Sequence, residues 1–166
     1  MSAIPLVVLA GTSGTGKTTF LEKLIRELKK RKLRVGTVKH DVHGFEFDRP
    51  GKDTWRHSRA GADAVAISSP TKVAMVRTVD EELLLDQVAA LLGAVDIILV
   101  EGYKRSNKPK IEIQRMALTN EIISDPEELI AVVSDGNWNI GVPCFGLDDA
   151  AGVASLLVEK YGLRVQ

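Results

Sequence analysis

A single cysteine, Cys144, leaves this 166-residue chain without an internal disulfide, which suits a reducing compartment. Net charge is also missing: 22 lysines and arginines meet 22 aspartates and glutamates, so no global field steers the chain to nucleic acid or to a membrane. Neither is expected as a partner. Aromatic residues are scarce, at 5%, while the 45% hydrophobic share is that of an ordinary soluble globular protein. The opening "MSAIPLVVLAG" lacks a basic targeting region, and its apolar run is too short to cross a bilayer. It reads as a first strand, and the chain is expected in the cytoplasm. No repeat, low-complexity tract or clear linker interrupts the sequence, so one domain over residues 1–166 is expected.

What is present alternates between apolar runs and helical periodicity. Ile4 to Ala10 is continuous and apolar, as in a strand covered on both faces. From Thr18 to Lys32, Phe20, Leu21, Leu24, Ile25 and Leu28 recur at helical spacing over a charged outer face. Leu33 to Val38 is a second strand, parallel to the first. Residues 39–54 form a long charged loop, and Trp55 to Gly61 a short helix. Ala64 to Ser68 and Val73 to Arg77 read as strands joined by the turn "SSPTK". Glu81 to Leu92 reads as a helix capped by Asp80, with Leu84, Leu85, Val88, Leu91 and Leu92 turned inward. Further strands are expected at Val95 to Val100, at Ile111 to Met116 with one wet face, at Leu129 to Val133 and at Val142 to Phe145. Asp149 caps a last helix running to about Tyr161, and Cys144 reads as a buried small hydrophobe. The fold class is α/β, a three-layer P-loop NTPase fold whose mostly parallel sheet carries some antiparallel strands.

"GTSGTGKTTF" carries the chemistry. Gly11, Gly16, Lys17 and Thr18 fit the phosphate-binding pattern GxxxxGK[ST], between a buried strand and a helix as the pattern requires. Gly11, Gly14 and Gly16 let backbone N–H groups turn toward a phosphate, and Thr12, Ser13 and Thr15 are small enough not to intrude. The helix dipole adds to them; Lys17 reaches the β- and γ-phosphates, and the hydroxyl of Thr18, ahead of Thr19, ligates Mg2+. A metal needs a carboxylate at the end of a neighbouring strand, and "DIILVEG" offers Glu101 there, with Asp96 at the opposite end. Lys39, His40 and Asp41 leave the second strand at its carboxyl end. Asp41 is a candidate to hold a metal-bound water or orient the nucleophile, and His40 to donate to phosphate, the alternative being a solvated loop. The three histidines show no firm metal-ligand spacing. "GYKRSNKPK" sets Lys104, Arg105, Lys108 and Lys110 in a loop at the mouth, suited to a second phosphorylated ligand or to balancing local acidity. The guanine-reading tetrapeptide [NT]KxD does not occur. "VVSDG" puts Asp135 in the corresponding place, with GTP preferred and ATP still open.

Taken together, "VVLAGTSGTGKTTF", "VGTVKHDVHGFEFDRPGKDTWRHSRAGA" and "DIILVEGYKRSNKPKIEI" resemble the molybdopterin-guanine dinucleotide biosynthesis protein B (MobB) family over nearly the whole chain. The resemblance implies a GTP-binding accessory protein with weak Mg2+-dependent GTPase activity. It would assist a MobA-type guanylyltransferase that attaches GMP to molybdopterin. It implies a homodimer, with strands shared across the interface, and a cleft lined by Asp53, Arg56, His57 and Gly61. Molybdopterin would meet the Lys104 to Lys110 loop. The loop lacks the early extra lysine of MinD-type relatives, so no lysine donated across the dimer is expected. A small-molecule kinase and a GTP-dependent adaptor that does not hydrolyse stay open beside it.

Overall fold

The computed structural model describes residues 4–165. In chain order the elements are β1 (Leu6–Ala10), α1 (Lys17–Lys30), β2 (Val35–Lys39), α2 (Asp53–Arg59), β3 (Ala64–Ser68), β4 (Val73–Arg77), α3 (Leu85–Ala90), β5 (Ile97–Glu101), β6 (Lys110–Gln114), β7 (Leu129–Ser134), β8 (Cys144–Phe145) and α4 (Ala150–Tyr161). They form two compact units: one runs up to His40 and resumes at Leu85, and the other is Asp41–Leu84.

The first unit is built on a six-stranded parallel sheet in the order β2-β5-β1-β6-β7-β8. The apolar runs of β1 and β5 are continuous because both faces are covered. Val7, Leu9, Ile97 and Leu99 pack toward Leu24 and Leu28 of α1 and Val153 and Leu157 of α4. Val8, Ile98 and Val100 pack toward Leu85 and Ala89 of α3. The charged face of α1 is solvated as expected, with Arg26 against Glu22 and Lys30 against Glu27. Asp149 caps α4, its carboxylate accepting from the Gly152 N–H at 2.8 Å.

Three expectations need correcting. The strand read as half-wet, β6, is buried along its whole length. Its polar side chains carry their own partners. Glu112 accepts from the N–H groups of Ile123 and Ser124, both at 2.8 Å, and Gln114 donates to the Glu121 carbonyl at 2.8 Å. The segment after β6 thus folds back over it, satisfying polar atoms that would otherwise need water, with Gln114 Oε1 left buried without a partner. The helix expected over Glu81 to Leu92 shrinks to α3, so Asp80 does not cap it; Leu84 is 71% exposed, and Leu91 and Leu92 are exposed too. Leu85, Val88 and Ala89 pack on the sheet, and Leu92, past the end of the helix, touches it beside Gly36. Cys144 is exposed, because β8 is a two-residue edge strand with one neighbour, β7. The antiparallel pairing lies outside the main sheet, in the separate β3-β4 ribbon of the second unit.

In that unit β3 and β4 pair from Ala64↔Arg77 to Ser68↔Val73. Arg59 stacks over Trp55 at 5.7 Å, and a cavity of about 340 Å3 opens among residues including Phe47, Trp55, Val65 and Val76. Phe45 and Phe47 are 73% and 72% exposed. No helix among the described residues is long and apolar enough to cross a membrane.

Candidate functional site

The carboxyl ends of β1, β2, β5, β6 and β7 lie along one edge because these strands are parallel, and four of the singled-out segments leave the sheet there. The loop between β1 and α1 is shaped by its glycines. Gly11 has φ +136°, and a Cβ on it would lie 2.4 Å from the Ile113 carbonyl oxygen, so no other residue fits against β6. Gly16, with φ +94°, sits at the N-cap of α1. It offers no side-chain cap and no acidic residue follows in the first turn, so the helix begins with open N–H donors and its positive dipole end uncompensated.

Lys17 folds back over this loop. Its Nζ donates to the carbonyls of Gly11 at 3.1 Å and Thr12 at 2.7 Å. Burial pushes its pKa below the usual lysine range, the Lys104 ammonium pushes the same way, and Glu101 opposes both. Thr15 Oγ1 closes the loop on the Thr12 carbonyl at 3.0 Å, and Thr12 Oγ1 is buried without a hydrogen-bond partner. Ser13, Gly14, Thr18 and Thr19 are exposed.

Thr18 Oγ1 lies 2.9 and 3.1 Å from the two carboxylate oxygens of Glu101 and donates to that group. Register explains the meeting: Glu101 ends β5 opposite Leu9 on one side and Lys39 on the other. A hydroxyl and a carboxylate side by side are the hard oxygen donors that Mg2+ prefers, so these two residues fit that ion. Among the described residues no group of three or more His, Cys, Asp and Glu could hold a metal by itself.

The chain then turns sharply. Gly102 has φ +99° and Tyr103 φ +48°, and a Cβ on Gly102 would come within 2.7 Å of His40 Cβ. His40 donates its N–H to the Glu101 carbonyl at 2.9 Å, and its ring lies 4.4 Å from that of Tyr103. This turn sends Lys104 toward Lys17, with Arg105 next in the chain. The rest of the basic loop leaves the mouth. Since β6 runs parallel to β5, the chain must return to the far end of the sheet before β6 begins. Lys108 pairs with Asp86 of α3 at 2.7 Å, and Lys110 is buried against Glu128 and the Ser106 carbonyl. Two of the four expected cations are therefore structural.

Asp96 lies at the far end as expected, 2.7 Å from Arg34, whose hydrogen bonds hold its carboxyl below the usual range. Asp135 follows β7 at the near end, but its Oδ1 is taken by the Met116 N–H at 2.8 Å. Asp41 opens the second unit, where its Oδ1 accepts from the His43 N–H at 2.9 Å. One residue absent from the expected set stands against the loop: Arg115, whose Nε donates to the Thr15 carbonyl at 3.1 Å. It leaves β6 at the carboxyl end, so the rule that singled out Glu101 applied to it as well.

The description "Molybdopterin guanine dinucleotide synthesis protein B" belongs to a family whose model matches residues 6–135. An Escherichia coli protein named molybdopterin-guanine dinucleotide biosynthesis adapter protein is 40% identical over 166 residues, covering 94% of this chain and 93% of that protein. Its Haemophilus influenzae counterpart of the same name is 37% identical over 134 residues, 80% of this chain and 75% of that protein. The crystal structure of Bacillus subtilis MobB superimposes with a TM-score of 0.75 at 27% identity, over 98% of this chain and 100% of that one. The matched stretch runs from the first residue of β1 to just past the end of β7 and so spans the whole rim described above; the chain belongs to the MobB family.

Proposed function

We propose that this chain is a GTP-binding adapter in molybdopterin guanine dinucleotide biosynthesis, with slow Mg2+-dependent GTPase activity. The observation that carries the reading is the placing of Lys17 and the Thr18–Glu101 pair on a glycine loop backed by an uncapped helix. The loop amides and the first turn of α1 bind the β-phosphate; Lys17 exchanges its contacts with the loop carbonyls for phosphate oxygens. Thr18 and Glu101 would hold Mg2+, directly or through water, and the ion would there supply positive charge to offset what develops on the phosphates. Lys39 and His40 leave β2 beside Glu101, and Asp41, by its place directly after them in the chain, is the candidate to orient the attacking water. Asp135 reads the guanine with the oxygen that Met116 leaves unused. Lys104 and Arg105 meet the phosphate of molybdopterin.

The names of the relatives support the adapter role, in which a MobA-type guanylyltransferase is the partner. The exposed Phe45, Phe47, Ile67, Val73 and Met75 of the second unit suit the homodimer that the resemblance implies. The cytoplasm is the expected location. Calorimetric titration tests the core of the reading. Mg–GTP is expected to bind at least tenfold more tightly than Mg–ATP, and Glu101→Gln should remove most of the gain that Mg2+ gives. Equal affinities would overturn the guanine preference, and no binding of either nucleotide would overturn the site.

A further inference from the structure

The residues that follow β6 touch the glycine loop and the end of β7 at once. Arg115 Nε donates to the Thr15 carbonyl at 3.1 Å, and its Nη2 lies 3.5 Å from where a Cβ on Gly16 would stand. Leu118 Cδ1 lies 3.7 Å from the corresponding point on Gly14. The Met116 N–H holds Asp135 Oδ1 at 2.8 Å, and the Met116 side chain lies over Gly136, where a Cβ would stand 2.6 Å from its Cγ and Sδ. The positive charge of Arg115 also acts on Asp148, which pairs with Lys23 of α1 at 2.6 Å.

We propose that Arg115 is a positioning residue for the bound nucleotide, fixing the peptide between Thr15 and Gly16 so that its N–H is aimed at phosphate. In a trans peptide the carbonyl and the following N–H point in opposite directions. Holding the Thr15 oxygen against a guanidinium therefore turns the Gly16 N–H the other way, before any ligand arrives. Gly16 at φ +94° has the freedom to flip that peptide, so an external anchor has something to hold. The same stretch of chain fixes Asp135 through Met116, which ties the phosphate and base ends together. The proposal rests on reading Gly11 to Thr19 as the GTP site.

An arginine that stabilised only the transition state would lower kcat with GTP and leave GDP affinity alone. A positioning arginine acts on both nucleotides alike. Arg115→Ala is thus expected to weaken GTP and GDP by the same factor, about tenfold for one charge-assisted hydrogen bond, with kcat at saturation within twofold of the parent. Arg115→Lys, which keeps one donor, should recover part of the loss, and it carries the test if the alanine variant does not fold. The thermal midpoint without nucleotide should stay near that of the parent. Affinities within twofold of the parent for both nucleotides, or a loss confined to kcat, would overturn the proposal. Lys17→Ala separates this failure from that of the site itself. If it abolishes binding while Arg115→Ala binds normally, only the role of Arg115 falls; if Lys17→Ala binds normally, the GTP site falls with it.

Discussion

Lys17→Ala is expected to weaken Mg–GTP by about a hundredfold or more, roughly 3 kcal/mol, the largest effect of any single side chain on binding. The lysine ammonium already rests on two loop carbonyls and is partly buried, so phosphates gain a charge that has shed some of its water. The effect also has a pH signature. In the free protein the pKa of Lys17 is lowered by burial first and by Lys104 second, whereas bound phosphates raise it. Affinity is therefore complete below the free-protein pKa and declines as pH rises through it, at a lower pH than for an unperturbed lysine. Equilibrium dialysis with labelled GTP across the alkaline range reads both effects. A parental affinity in Lys17→Ala would sink the first, and a flat profile up to the ordinary lysine range would sink the second.

Glu112→Ala should have the largest effect on stability, about 3 kcal/mol or more in urea unfolding. Glu112 is fully buried, and its carboxyl oxygens accept from two backbone N–H groups and from Gln114. Truncation leaves those donors buried without acceptors and opens a void beneath the glycine loop, since Glu112 lies opposite Ala10 in the sheet. Glu112→Gln keeps the volume and one acceptor and should cost about half as much. An alanine variant less than about 1 kcal/mol below the parent would show that the segment at 123–124 finds other partners.

The site was legible wherever one local rule decided the outcome. Glycine spacing located the loop, and strand direction put Glu101 beside Thr18 and Asp96 at the far end. A side-chain cap fixed the start of α4. The errors came where distant chain decides. Alternation in "KIEIQ" signals a wet face, yet Ile123, Ser124 and Glu128 arrive from farther along the chain to satisfy it. The separate return from β5 to β6 took Lys110 away from the mouth, and Lys108 is spent on Asp86. Helical periodicity over Glu81 to Leu92 outran the sheet surface available to it, so a six-residue helix is what remains. Arg115 was missed because no motif contains it; its role comes from a carbonyl 100 residues earlier in the chain.

The strand order also dictates a timetable for synthesis. Among the described residues β1 pairs only with β5 and β6, and β2 only with β5, so neither has a strand partner until the ribosome has passed residue 97. At about 5–20 residues per second, the apolar β1 and the mixed β2 wait several seconds for their neighbours. The β3-β4 ribbon made in the interval pairs with itself at once. The nascent chain thus carries an unpaired, apolar β1, a stretch open to misassociation until the sheet closes around it.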